Sequence, residues 1–256
     1  MRRHGDQVSG LIDAGLDLLT GSRCAGCGCP GRALCAGCAG ELTRKRPQPS
    51  RPDPSPPSIK GLPLISAGPY DGLLRELIVS HKEERRLALA RPLGRLLAMG
   101  CEAVLLPAAP DAASPVVLVP VPSTPAVVRT RGHDPLLRLT RVAATRLRRR
   151  GTDCTVARML VHRRHVADQA GLSAAARLAN LDGAFRARRA SAPGGAGQRR
   201  LVVVDDVVTT GASLAAAVSA MHAGGFAPCA AVTLAATARR YLSSTESGMV
   251  GEVSDR

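Results

Sequence analysis

Two adjacent carboxylates followed closely by hydroxyls and a glycine form the most chemically suggestive run in the chain, Leu201-Val-Val-Val-Asp205-Asp206-Val-Val-Thr209-Thr210-Gly211-Ala212-Ser213-Leu214. The Val run predicts a buried strand that delivers both acids at its C-terminal end, and a helix begins at Ala212. Ligands of open α/β sheets bind at that edge. Gly211 permits close backbone approach. The free N–H groups of the first helical turn, with the hydroxyls of Thr209, Thr210 and Ser213, form an anion cradle. Carboxylates beside such a cradle are self-defeating unless the ligand also carries hydroxyls or brings a divalent cation. A phosphorylated ribose meets both needs. Its 5′-phosphate suits the loop from Thr209 to Ser213, while its 2′- and 3′-hydroxyls and Mg²⁺ suit Asp205 and Asp206. The plainer alternative, a strand–turn–helix with exposed acids, does not explain why both acids directly precede the loop. Neither common nucleotide fingerprint is present. There is no GxxxxGK[ST] run, and Gly194-Gly195-Ala196-Gly197 lies in a loop before a strand rather than after one.

A second cluster is made of thiols. Five of the eight Cys fall within fifteen residues, Cys24-Ala-Gly-Cys27-Gly-Cys29-Pro-Gly-Arg-Ala-Leu-Cys35-Ala-Gly-Cys38. The pairs Cys24/Cys27 and Cys35/Cys38 are two CxxC knuckles, and the Gly at the third position of each (Gly26, Gly37) permits the tight turn of the knuckle. In a reducing compartment, that spacing reads as a structural four-Cys zinc site with no open position for water, hence no catalysis by the metal. A redox dithiol pair is the alternative, and Cys29 is either a spare thiol or an alternative to Cys27. Cys101, Cys154 and Cys229 are isolated and read as small core residues.

The elements that must position these clusters follow from pattern. Val8, Leu11, Ile12, Leu16 and Leu19 have helical spacing, so the chain opens on an amphipathic helix. Met1-Arg2-Arg3-His4 mimics the start of a signal peptide, but Asp13 and Asp17 interrupt what would be its apolar core. Residues 47–58 hold six Pro and read as an extended spacer without a core. The expected division is therefore 1–46 for the helix and zinc module, 47–61 for the linker, 62–240 for a larger domain, and 241–256 for a tail. Strands are expected at Leu62–Ala67, Val116–Val119, Leu201–Val204 and Ala230–Ala235. Helices are expected at Leu73–Ser80, Leu87–Leu105, Leu136–Arg149 and Ala212–Ala223, the last stopped by Gly224-Gly225. Uninterrupted Val runs mean strands covered on both faces, the signature of a parallel α/β sheet flanked by helices. Residues 207–238 lack any charged side chain, yet Gly211, His222, Gly224, Gly225 and Pro228 rule out a membrane span. The chain reads as cytoplasmic, with reduced thiols.

Composition adds a polyanion as the expected partner. Thirty-five Lys and Arg against twenty Asp and Glu leave +15, a balance that suits nucleic acid or phosphates. Only Lys45, Lys60 and Lys82 are Lys, and the aromatics are just Tyr70, Tyr241, Phe185 and Phe226. So few rings make a poor stacking platform for single strands.

The Asp-Asp-x-x-Thr-Thr-Gly-x-Ser segment resembles the phosphoribosyl-pyrophosphate (PRPP) loop of type I phosphoribosyltransferases. The rest of the chain resembles the ComF (competence protein F) branch of that superfamily. The resemblance is carried by the two Cys knuckles after an amphipathic helix and by Tyr70-Asp-Gly-Leu-Leu-Arg75 leading to Lys82. Val119-Pro-Val-Pro-Ser123 and Arg131-Gly132 come next. Arg158 with Gln169-Ala-Gly-Leu-Ser173, Arg177-Leu-Ala-Asn180 and Phe185 complete the order. It implies a type I phosphoribosyltransferase-like fold in which Ser123, Arg129 and Arg131 face pyrophosphate and Arg158 to Gln169 fall near a mobile hood. The chain departs from the family at Arg131-Gly132-His133-Asp134-Pro135, where Arg-Gly-Phe-Asn-Gln is usual.

Two functions follow as expectations. The first is a Mg²⁺-dependent transferase moving a phosphoribosyl group from PRPP to an acceptor the sequence does not name. The second is a DNA-uptake factor that binds nucleic acid on the same scaffold. It is motivated by basic clusters at Arg146/Arg148/Arg149/Arg150, Arg163/Arg164, Arg186/Arg188/Arg189 and Arg199/Arg200.

Overall fold

The Val runs form the centre of a six-stranded sheet in a computed structural model of the protein, which describes residues 23–52, 55–105, 114–163, 183–188 and 199–237. The expected N-terminal helix, the segments from Gln169 to Ser173 and from Arg177 to Asn180, and the tail lie outside the described residues. In chain order, the strands are β1 (Gln48–Pro49), β2 (Leu64–Ser66), β3 (Val116–Pro120), β4 (Cys154–Val156), β5 (Leu160–His162), β6 (Phe185–Ala187), β7 (Arg200–Val208) and β8 (Pro228–Ala236). The helices are α1 (Ala36–Arg44), α2 (Gly72–Lys82), α3 (Ala90–Leu105), α4 (Pro125–Arg131), α5 (Pro135–Arg149) and α6 (Ala212–Ala223).

The main sheet has the order β1-β2-β8-β7-β3-β4, and β5 pairs with β6 in a separate ribbon. Every pairing in the main sheet is parallel except β1 on β2. Val202, Val203 and Val204 of β7 have no exposed surface, as a strand covered on both faces requires. β7 runs four residues beyond the expected Val204, because β8 continues beside it and pairs Val207 with Ala235 and Val208 with Ala236. Both acids therefore lie within the strand rather than after it.

From β3, the chain crosses through α4 and α5 to β4 on one side. From β7, it crosses through α6 to β8 on the other. Crossovers of one hand running in opposite directions put α5 and α6 on opposite faces of the sheet. α3 joins α5 at a close crossing, where a Cβ on Gly94 would lie 2.5 Å from Val142 Cβ and 2.9 Å from the Leu139 carbonyl oxygen. It also lies flat on the sheet, since a Cβ on Gly100 would meet Val232 Cγ1 at 2.8 Å.

The Pro-rich segment is extended, but it is not a free spacer. Gln48 and Pro49 pair with Ser66 and Ile65, and the Ser50 N–H donates to the Leu64 carbonyl at 2.9 Å. Pro52, Pro56 and Ile59 are buried, and Ser58 Oγ donates to the Ala215 carbonyl at 3.1 Å. Proline lacks a donor, which confines it to sheet edges, and here the edge strand β2 was available. Leu42 of α1 joins the same core as the sheet, so the segments on both sides of the Pro-rich run share one interior.

Candidate functional site

Four thiols converge near the N-terminus. The Sγ atoms of Cys24, Cys27, Cys35 and Cys38 all lie within 4.8 Å of one another, and Cys27 and Cys35 Sγ are 3.6 Å apart. Sulfurs of a tetrahedral zinc site with bonds of about 2.3 Å stand about 3.8 Å apart, so the cluster can hold a metal ion such as zinc. Backbone amides turn toward the sulfurs. Gly26 and Cys35 N–H donate to Cys24 Sγ at 3.4 Å, and Cys38 N–H donates to Cys35 Sγ at 3.5 Å. Burial acts to raise the Cys24 thiol, but the N–H groups of Cys27, Cys35 and Gly26 outweigh it and bring it down to about 6. The Cys38 N–H, with the thiols of Cys27 and Cys38, lowers Cys35 as well. Cys29 stands beside the cluster without joining it. Hydrogen bonds with Cys27 and Cys35 keep its proton on, pushing it up to about 12.

The knuckle glycines act differently from the sequence expectation. Gly28 and Gly31 make the left-handed turns, at φ 74° and 108°. Gly26 is required for space, since a Cβ there would lie 2.3 Å from Leu73 Cδ1 of α2. Gly37, within α1, meets nothing closer than 4.0 Å.

The second site is built at the C-terminal edge of the sheet between β3 and β7, where the two crossovers diverge. That is the topological switch point, at which open α/β sheets bind ligands. Asp205 and Asp206 are neighbours in an extended strand, so their side chains leave on opposite faces, and their settings differ accordingly. Asp206 is half-buried and forms an ion pair with Lys82 at the end of α2. Both line a small cavity with His81, Pro135, Leu136 and Leu139. Asp205 is buried and accepts the Asp206 N–H at 2.8 Å. Burial, then the charge of Asp206, pushes the Asp205 carboxyl up to about 8; the Asp206 N–H and Lys82 pull the other way.

The turn after β7 has the expected strand–loop–helix form. Gly211, the N-cap of α6, is left-handed at φ 77° and has no side chain with which to cap the helix. Thr209 is exposed, and Thr210 and Ser213 are half-buried, so the hydroxyls lie around a helix start with its partial positive charge. Ala212 is buried, and its N–H reaches Thr210 Oγ1 at 3.4 Å. The close approach that Gly211 permits is made by the Pro-rich segment. A Cβ at that position would lie 2.7 Å from Pro52 Cγ and 3.0 Å from Ile59 Cδ1.

Facing this turn, the loop after β3 leads into α4. Thr124 caps α4 by accepting the Val127 N–H at 3.3 Å, and Pro125 starts it. Gly132 ends it in the left-handed region at φ 73°. Ser123 Oγ donates to Asp134 Oδ1 at 3.4 Å. Arg129 is exposed, whereas Arg131 is paired with Glu83 at 2.5 Å. Asp134 and Pro135 start α5, with Asp134 Oδ1 accepting the Leu137 N–H at 3.1 Å. Asp134 and Pro135 are thus a helix-start pair. His133 turns inward. Its Nδ1 is 3.0 Å from the Arg131 carbonyl oxygen, and its ring meets that of His81 edge-on at 6.0 Å. Burial lowers the His81 imidazole, outweighing the carbonyls of Arg86 and Pro135. The β5–β6 ribbon is tied to the same loop, with His162 Nε2 2.9 Å from the Pro122 carbonyl oxygen and its ring 4.9 Å from Phe185.

The final turn of α2 and the residues after it were the part of the site least visible in sequence. His81, Lys82 and Glu83 meet His133, Asp206 and Arg131 in turn. Arg85, at φ 57°, is the one described non-glycine residue in the left-handed region, and its Nη2 would lie 2.8 Å from a Cβ on Gly132. Arg86 Nη1 donates to the Arg23 carbonyl beside the thiol cluster at 2.5 Å. The available signal was a run of five consecutive charged residues, Lys82 to Arg86, closing an amphipathic helix.

No protein-family model matches the chain, and no curated protein matches it.

Proposed function

We propose that the protein binds PRPP with Mg²⁺ at the β3–β7 switch point and transfers its phosphoribosyl group to a nucleophile, releasing pyrophosphate. One observation carries this reading. The acid pair with its hydroxyl-rich turn, and the loop bearing Ser123, Arg129 and Arg131, lie on adjacent strands at the edge where such sheets bind ligands. The hydroxyls of Thr209, Thr210 and Ser213, with the N–H groups at the start of α6, hold the 5′-phosphate. Asp206, with Asp205 behind it, takes the ribose hydroxyls, and the Arg side chains hold the diphosphate. The donor set fits magnesium, a hard cation that prefers carboxylate oxygen, and Asp206 already holds a cationic partner in Lys82. When bound with the ligand, Mg²⁺ supplies charge neutralisation to the diphosphate. As the bond from C1 to the diphosphate oxygen breaks and the nucleophile bonds to C1, Arg129 and Arg131 stabilise the charge that collects on the leaving group. The thiol cluster would hold zinc as a structural ion.

The test is pyrophosphate release from PRPP and Mg²⁺ over a panel of purine and pyrimidine bases. Release that Asp206→Asn reduces about a hundredfold or more supports transfer. The absence of release with every base leaves a binding protein without this chemistry.

The exposed Arg138, Arg141, Arg148 and Arg149 along α5 favour a second reading, nucleic-acid binding on the same scaffold. Some of that charge is already engaged, since Arg148 donates to the Cys154 carbonyl and Arg150 pairs with Glu102. Counter-ion release predicts DNA affinity that falls steeply between low and physiological salt. No DNA binding at low salt removes the idea.

A further inference from the structure

Lys82 and Glu83 are consecutive residues of opposite charge at the end of α2, and each is paired with a different half of the switch-point site. Lys82 Nζ pairs with Asp206 Oδ2 on β7. Glu83 Oε1 pairs with Arg131 Nη2 at the end of α4. One half of the site is therefore anionic, the other cationic, and a single turn of helix supplies the complement to both. The chemistry matches a diphosphate carrying a divalent cation. An ammonium on Asp206 stands where a cation would stand, and a carboxylate on Arg131 stands where a phosphate oxygen would stand.

The surrounding structure holds the turn in register. His81, one residue earlier, is fully buried against the His133 ring. Arg85, two residues later, is held at φ 57° beside Gly132. A strained backbone persists only where the surroundings fix it. The charges themselves are less enclosed. The Glu83 side chain is 57% exposed and that of Lys82 27% exposed, so both can leave their partners for water.

We propose that Lys82 and Glu83 are internal stand-ins for the cation and the diphosphate, so that magnesium and diphosphate bind together by exchanging both ion pairs. The proposal rests on the switch-point reading above and adds two positioning residues to it. It makes the two mutually dependent: magnesium alone is resisted by Lys82, and diphosphate alone is resisted by Glu83.

Calorimetry on the full chain tests it with two probes, magnesium chloride alone and magnesium with inorganic pyrophosphate. Lys82→Gln leaves Asp206 without its partner and should bind magnesium alone at least about fivefold tighter than the native protein. Glu83→Gln frees Arg131 and should bind magnesium pyrophosphate about three- to fivefold tighter, the range expected of an exposed pair. Glu84→Gln removes the same charge from a residue paired with Arg86 instead and should leave pyrophosphate affinity unchanged. Equal affinities for the native protein and Glu83→Gln, or an equal gain from Glu84→Gln, would overturn the stand-in role while leaving the switch-point reading in force. Weaker pyrophosphate binding by both Lys82→Gln and Glu83→Gln would overturn it too, because the two side chains would then be ligand contacts. No pyrophosphate binding by the native protein or any variant would remove the reading and the proposal together.

Discussion

At neutral pH, Asp205 keeps a proton that an exposed aspartate would have lost, because burial and the Asp206 charge raise it to about 8. The folded protein then holds a proton that the unfolded chain, near 3.8, has released. Between those values the native state binds more protons than the unfolded one, so stability falls as pH rises. The slope is at most about 1.4 kcal/mol per pH unit. Asp205→Asn cannot lose that proton and should flatten this part of the profile, gaining stability relative to the native protein above pH 8. Denaturant melts from pH 5 to 9 in chelator-free, magnesium-free buffer measure it, and parallel profiles for the two proteins would refute the assignment. The two acids were legible as a pair from their sequence, but their inequality was not. It arises from the alternation of a strand that extends to Val208 and from the position of Lys82, more than a hundred residues earlier in the chain.

The elements of the sheet were the more legible part of the fold. α6 occupies the predicted span, and β3 and β8 lie within a residue or two of theirs, since Val runs and a Gly-Gly stop are local signals. The short elements were missed for lack of periodicity. β4, β5 and β6 have three residues each, too few for an apolar pattern to emerge. α4 could have been found, because Thr124-Pro125 at its start and Gly132 at its end are recognisable boundary signals. At this scale, the α3–α5 crossing gives a direct prediction. Gly94→Ala would force a methyl group against Val142 and the Leu139 carbonyl and should cost about 1–3 kcal/mol in chemical denaturation. Gly37→Ala, in open space on α1, should cost nothing measurable; equal losses at the two positions would contradict the packing described.

Across the whole molecule, the thiol cluster, the Pro-rich segment and the sheet are joined through the site. Leu73 of α2 packs against Gly26 of the first knuckle, and Arg86 donates to the Arg23 carbonyl. Pro52 and Ile59 press on Gly211. Composition pointed to a core-less spacer between two units, because six Pro in twelve residues reveal nothing of the sheet edge they meet. If the four thiols hold zinc about a thousandfold above its dissociation constant, stripping it removes about 4 kcal/mol of stability. For a chain of this size, that lowers the melting temperature by about 10 °C, and loss of the ion should also loosen α2 and weaken ligand binding. A chelator-treated protein that melts unchanged would remove the structural role. The net charge of +15 is an excess that pairs such as Arg131 on Glu83 and Arg150 on Glu102, neutral in themselves, do not account for; it suits a phosphate ligand and a nucleic acid alike and does not by itself argue for either. We propose that the β3–β7 switch point binds a phosphoribosyl diphosphate with magnesium. Calorimetric titration of PRPP and Mg²⁺ into the native protein and into the Asp205→Asn/Asp206→Asn variant tests it most directly. Saturable binding at one site, lost in the variant, is the predicted result. No binding by the native protein, or equal binding by both, would contradict it.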